Sequence, residues 1–281
     1  MNKLALGTAQ FGLDYGISNI SGQISFEEAR KILKLLKANS IDTLDTASDY
    51  GNSEKVLGKI GVNDYYVVTK TASLKSGVDN VIESFYQSLM DLNTTSVYGL
   101  LIHNIDDVKD KKFDALYKEL LKLKQDKLIS KIGFTTYMPE QVDFLLNNLD
   151  FDLIQVPINV FDTRLIDDGQ LQALKNKNIE VHARSVFLQG LLLNFEKLDS
   201  YFFKWIKHFN IYKKMVKVSD LSLLEYALNF VLNIKEIDKV IVGVDSESQL
   251  KEITKSVIGK KNLQAYPLND IDLINPALWK I

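Results

Sequence analysis

The chain contains no cysteine, which removes disulfide frameworks, thiolate catalysis and Cys-ligated zinc together. Histidine is scarce, with three residues at 103, 182 and 208. They are too scattered to suggest a metal site, and none is expected. No apolar run approaches the length of a membrane span, and the one in MNKLALGTAQFG is too short for a signal peptide. Cytoplasmic residence is therefore the expectation. Charge of either sign is not in excess: the formal net charge is −2 and the pI is near 6.0. That balance argues against nucleic acid or a membrane surface as a partner. No Gly-x-Gly-x-x-Gly follows a strand-like run and no Gly-x-x-x-x-Gly-Lys occurs, which weakens an open, doubly wound sheet as the alternative fold.

What is present is an ordinary globular composition over 281 residues, 46% hydrophobic and 25% charged. The hydrophobic period switches repeatedly between strand and helix. Strands are expected at Leu4–Leu6, Thr43–Asp45, Tyr65–Thr69, Val97–Ile102, Leu128–Gly133, Phe151–Val156, Ile179–Ala183 and Lys239–Val242. Helices are expected between them. The first is capped by Ser25, with Glu28 three residues on completing a capping box. Pro139 opens another. A Lys-rich helix near 110–126 reads as a solvated face. A helix is expected over 165–177, then a long loop, then a helix near 219–233. Parallel strands need helical crossovers, and eight of them close on themselves. The fold predicted is a single (β/α)₈ TIM barrel, one domain over residues 1–281.

One stretch, Ile41–Gly58, puts an acid and a phenol on one βα corner. Asp45 ends the second strand and Tyr50 lies in the loop after it. Lys70 and His103 stand at the ends of the third and fourth strands. In a barrel these ends share one rim, where active sites form. Each residue alone reads as an ordinary loop or strand-end side chain; four at neighbouring corners read as a site. A phenol is a proton donor in reserve at neutral pH. The Lys70 ammonium should lower its pKa, Asp45 should hold the lysine charged, and His103 should orient a substrate oxygen. Such a set protonates a carbonyl oxygen. The matching hydride at carbon implies a nicotinamide.

With those residues in place, the chain resembles an aldo-keto reductase. Leu6-Gly7-Thr8, Asp45 through Tyr50-Gly51, Glu54 with Leu57-Gly58, Thr69-Lys70, Leu101-Ile102-His103 and Gly133-Phe-Thr-Thr-Tyr137 carry the resemblance along nearly the whole length. It implies a (β/α)₈ barrel reducing aldehydes and ketones with NADPH or NADH, and a catalytic tetrad of Asp45, Tyr50, Lys70 and His103. The GTAQFGLDYGI opening is similar to bacterial members tied to carbohydrate or polysaccharide pathways.

The same resemblance implies cofactor contacts from Gly7, Thr8 and Asp45. It also implies them from Thr135 and Thr136, where the family usually has Ser-Asn, and from Gln155 on the carboxamide. After the seventh strand the family commonly stacks an aromatic on the nicotinamide. Here Arg184 stands, followed by Ser185 and Phe187; a guanidinium plane can stack in its place, and a rim salt bridge is an equal expectation for it. After the eighth strand Gly243, Ser246 and Gln249 can serve a phosphate or ribose. Asp245 and Glu247 oppose the 2′-phosphate of NADPH unless Lys251 or Lys255 compensates. NADPH is the family expectation, and NADH is possible because of those two carboxylates.

The expected partner is a small carbonyl compound, with a sugar derivative suggested by an open mouth. The aromatics of 187–218 are expected to pack rather than to line a ligand wall, under a connection long enough to cover a cofactor. Two other functions fit the same scaffold: a non-catalytic NAD(P)H-binding regulatory subunit, and a non-redox sugar epimerase or lyase. Nothing in the sequence sets the oligomeric state.

Overall fold

In the computed structural model, which describes residues 2–17, 19, 22–196, 198–268 and 270–281, eight parallel strands form a closed barrel in sequence order. They are β1 (Leu4–Gly7), β2 (Thr43–Asp45), β3 (Tyr66–Lys70), β4 (Val97–Ile102), β5 (Ile129–Thr135), β6 (Leu153–Pro157), β7 (Glu180–Arg184) and β8 (Lys239–Gly243). The ring closes where β1 pairs with β8, from Leu4 opposite Val240 to Gly7 opposite Gly243. Each strand carries apolar residues toward the surrounding helices, which cover them with the amphipathic faces the sequence spacing foretells.

Side chains two residues apart share a face of a strand. This parity decides what reaches the rim. Asp45, Lys70, His103, Thr135, Arg184, Gly7 and Gly243 stand at or just past strand ends, Gln155 lies two residues before the end of β6, and all line one cleft. Two residues below Lys70, His103 and Gln155 lie Val68, Leu101 and Leu153, which form a small apolar cluster of their own. Tyr66, Lys131 and Glu180 occupy the same faces nearer the strand starts. At that lower end Glu180 accepts from Tyr98 at 2.6 Å, from Lys131 and from fully buried His182. The apolar layer thus separates a charged plug from the rim.

The observed strands run up to two residues further toward the rim than the sequence suggests, so Thr135 and Arg184 are strand residues rather than loop residues. The expected helix over 165–177 is two pieces, Arg164–Asp167 and Gln170–Asn176, because Gly169 between them is left-handed at φ 86°. The long connection after β7 is not a loop throughout: it holds a 3₁₀ turn at Ser200–Trp205 and a helix at Ile206–Val218. Phe209, Tyr212 and Val216 are its buried face, and Phe202 and Trp205 are buried with them. These aromatics pack, as expected. The following helix begins only at Leu223, capped by Ser222 with a full capping box from Glu225.

The helix Phe26–Ala38, which follows a single turn at Ala9–Gly12, is capped by the Ser25 side chain, which accepts from the Glu28 amide. Glu28 itself does not complete a box. Its carboxylate reaches across the closing seam and accepts from the amide of Glu247 at 2.7 Å, at the start of the helix Glu247–Lys255. That backbone hydrogen bond holds the Glu28 carboxyl below its usual range. Within the glycine-rich loop after β1, Ser18, Ile20 and Ser21 lie outside the described residues.

Candidate active site

The corner after β2 is built to hold a phenol over the rim. Thr43-Leu44-Asp45 is a short, fully buried strand, and the chain then turns through Tyr50 and Gly51 into the helix Ser53–Ile60. Gly12 is packed so tightly against this turn that a Cβ there would lie 1.8 Å from the Tyr50 carbonyl oxygen. Gly51 is left-handed at φ 57° and faces Gly12 in return. Ser53 fastens the corner to β1 by donating to Thr8, to its carbonyl at 2.8 Å and to its hydroxyl at 2.9 Å. Glu54, buried at the start of that helix, accepts from Thr69 at 2.6 Å and ties the corner to β3.

Lys70 and Asp45 meet beneath Tyr50. The Lys70 ammonium donates to Asp45 Oδ1 at 2.8 Å, Asp45 Oδ2 at 2.9 Å and the Thr46 carbonyl at 2.8 Å. Gln155 Nε2 donates to the same Asp45 Oδ1 at 2.7 Å. The ammonium also lies 4.8 Å from the Tyr50 ring centroid. The His103 ring stands edge-on to Tyr50, with centroids 6.1 Å apart, and its Nδ1 is 3.5 Å from Asp49. The four residues singled out in the sequence therefore surround one point. Asp49, directly before Tyr50, is a neighbour the sequence reading did not name.

The electrostatics differ from expectation at the phenol. Burial pushes the Tyr50 pKa above its usual value, and the Lys70 charge pulls back only part of the way. The lysine alone would lower it; loss of water around the phenol outweighs that effect. Burial works against the Lys70 ammonium too, but Asp45 and Tyr50 outweigh it, and the lysine pKa ends above its usual value. Burial and then the Lys70 charge hold His103 below the usual imidazole value. At neutral pH the site holds a protonated phenol, a charged lysine and a neutral imidazole.

From this point a cleft of about 620 Å³ runs along the rim to β8, within the range of small-molecule and cofactor sites. Its walls include Gly7, Thr8, Thr135, Gln155, Arg184, Ser185, Phe187, Gly243, Asp245 and Gln249. Thr136 and Ser246 are not on those walls. The Thr136 hydroxyl is buried without a partner, while its carbonyl accepts from Arg184 at 2.9 Å. Ser246 caps the last barrel helix by accepting from the Gln249 amide. Thr135 has its hydroxyl hydrogen directed to the His103 carbonyl at 2.6 Å, so toward a ligand it can only accept. The Gln249 side chain is engaged with Asp245, accepting from its amide at 2.7 Å and donating to its carboxylate at 3.4 Å. Tyr137 and Glu252 also line the cleft. Tyr137 carries a sequence signal in the Gly133–Tyr137 run. Glu252 shows none beyond its place one turn past Ser248.

The residues suit an extended dinucleotide. Gly243 has no side chain where the cleft passes Gln10, and a Cβ there would meet Gln10 Nε2 at 2.7 Å. A flat guanidinium and the Gln155 amide line the cleft from β7 and β6, and two carboxylates and an amide, Asp245, Glu252 and Gln249, line it from the segment after β8. Among the described residues no cluster of His, Asp and Glu could hold a metal ion.

The profile of the Aldo/keto reductase family matches residues 3–276. The chain is 27% identical over 274 residues to L-galactose dehydrogenase of Arabidopsis thaliana, covering 88% of this chain and 83% of that one. It is 32% identical over 126 residues to the oxidoreductase YdhF of Escherichia coli, covering 44% and 40%. Among solved structures, the glycerol dehydrogenase AKR11B4 from Gluconobacter oxydans superposes with a TM-score of 0.72 at 22% identity, covering 93% of this chain and 88% of that one. The holo form of AKR11C1 from Bacillus halodurans gives 0.72 at 21% identity, covering 95% and 88%. This chain belongs to the aldo/keto reductase family. It is an NAD(P)H-dependent oxidoreductase acting on small carbonyl compounds.

Proposed function

We propose that the chain reduces the carbonyl of a small hydroxylated aldehyde or ketone with NADH, and that Tyr50 delivers the proton. The observation that carries this is the Lys70 ammonium, locked between both oxygens of Asp45 and lying against the Tyr50 ring. As the carbonyl oxygen gains negative charge, Tyr50 gives up its proton, and Lys70 stabilises the phenolate left behind. Asp45 keeps Lys70 charged and fixed in a place too dry for a lone ammonium. Neutral His103 donates a hydrogen bond that orients the carbonyl oxygen. The nicotinamide, when bound, supplies the hydride. Gln155 and Thr135 would hold its carboxamide, and Arg184 would lie against its ring.

The preference for NADH rests on the β8 end. Of the two cations that could compensate, Lys251 pairs with Glu247 at 2.8 Å, and neither it nor Lys255 is on the cleft walls. Asp245 and Glu252 line the cleft there, while the two cations on its walls, Lys70 and Arg184, stand at the ends of β3 and β7. Carboxylates beside a ribose suit a free 2′-hydroxyl and repel a 2′-phosphate. A hydroxylated substrate is supported by polar side chains on the cleft walls, Gln189 and Asn194 among them, and by a relative named for the sugar galactose.

The test is oxidation of NADH and NADPH against a panel of aldehydes and sugars, with Tyr50→Phe as control. The variant should lose turnover by about 10²-fold or more while binding NADH as before. Turnover that survives in Tyr50→Phe would remove the tyrosine from its role.

A further inference from the structure

The side chain in the place of the usual stacking aromatic is a cation without a counter-ion. Among the described residues no carboxylate lies within ion-pair distance of Arg184. It is held by its neighbours instead: one amino group donates to the Thr136 carbonyl at 2.9 Å, the other to the Ser185 hydroxyl at 3.2 Å. Its guanidinium carbon sits 4.1 Å from the Tyr137 ring centroid. The turn that follows is strained, with Ser185, Leu188 and Gln189 all left-handed at φ 57°, 48° and 53°, as backbone at functional sites often is. Arg184 is thus a fixed plate, backed by Tyr137 and lining the cleft.

The charge at this end does not cancel. Lys70 and Arg184 bring two positive charges and buried Asp45 one negative, and Asp45 is already committed to Lys70 and Gln155. Asp49 is near His103, but its side chain is 58% exposed and water screens it. An oxidised nicotinamide ring carries a positive charge, and a reduced one is neutral. A guanidinium against the ring therefore disfavours only the oxidised form, while the rest of the dinucleotide is common to both.

We propose that Arg184 is a redox-discriminating residue, which makes the cleft hold the reduced cofactor far more tightly than the oxidised one. This rests on the nicotinamide lying at Arg184, as in the function proposed above. It gives the departure from an aromatic a purpose: the oxidised product is expelled after each turnover.

The experiment is equilibrium titration of the wild-type protein, Arg184→Gln, Arg184→Lys and Arg184→Tyr with NADH and NAD⁺, and with NADPH and NADP⁺. The 2′-phosphate is shared within each pair and drops out of the ratio. In the wild type, Kd for the oxidised form should exceed that for the reduced form by about tenfold or more, from opposed charges in a partly dry site. Arg184→Gln and Arg184→Tyr should lower that ratio about tenfold, chiefly by tighter NAD⁺ binding, and Arg184→Lys should keep most of it. Both forms binding with a ratio unchanged by neutral substitution, or a wild-type ratio near one, would overturn the inference and leave the reductase reading standing. A wild type that binds neither form would overturn both.

Discussion

Lys70 donates to both carboxylate oxygens of Asp45, at 2.8 and 2.9 Å, and its side chain is only 1% exposed. A pair this dry is held by geometry as much as by charge, and each member depends on the other. Lys70→Met should leave Asp45 buried with only Gln155 as partner. Breaking a buried pair from one side costs about 3–5 kcal/mol, so urea unfolding should register a loss of that order. Turnover should fall as well, since the phenolate loses its counter-charge. A variant as stable as the wild type would show that the pair is solvated.

The pH dependence of reduction follows from two displaced groups. Reduction needs Tyr50 protonated, and its pKa is raised. The rate should stay level through neutral pH and decline only above the ordinary phenol range, near about 10. It also needs His103 neutral, and that pKa is lowered. The acid limb should lie below the usual imidazole value of about 6.5. Rate profiles of kcat with a fixed aldehyde check both limbs. A decline beginning at pH 8 would contradict a buried phenol as donor.

At the far end of the cleft, Asp245→Arg should replace repulsion by a bidentate partner for a 2′-phosphate. NADPH binding should tighten by about tenfold, one charge-assisted contact being worth about 1.4 kcal/mol or more. NADH binding should change little. Fluorescence titration with both reduced cofactors measures this. If the wild type already prefers NADPH strongly, the carboxylates do not govern the choice.

The plug at the other end of the lumen predicts a signature in acid. Burial pushes the Glu180 pKa up, but hydrogen bonds from His182, Lys131 and Tyr98 outweigh it and hold it at about 2, against 4.5 in a free chain. The unfolded chain binds the proton first, so this stabilisation is complete above pH 4.5 and is lost as the pH falls toward about 2. The difference is worth about 3 kcal/mol. Unfolding free energies of wild type and Glu180→Gln, compared from pH 6 to pH 3, should converge on acidification. Parallel curves would show that Glu180 is not the titrating group.

The barrel and the four rim residues were legible because strand parity and short connections leave little freedom. A residue ending a strand on the lumen face must arrive at the rim, and Asp45, Lys70 and His103 do. The segment after β7 was not read as helical although Phe209, Tyr212 and Val216 carry helical spacing; its density of aromatics hides which are core. Glu28 shows a different limit. Ser25 and Glu28 have the spacing of a capping box, yet the carboxylate takes a partner more than two hundred residues away, and no local rule sees such a partner. The Tyr50 pKa moves opposite to the sequence expectation for a similar reason: the lysine is visible in sequence, and the depth of burial is not.

That long-range contact of Glu28 bears on ligand choice. The first amide of the helix Glu247–Lys255 already serves an internal anion, and a helix start is where a phosphate would otherwise find its welcome. A doubly charged newcomer would have to evict a carboxylate belonging to the protein and break the clasp between first and last barrel units. If NADH is the cofactor, as proposed, the seam that shuts the barrel doubles as a gatekeeper, leaving sugar hydroxyls rather than phosphoryl charge to be read there.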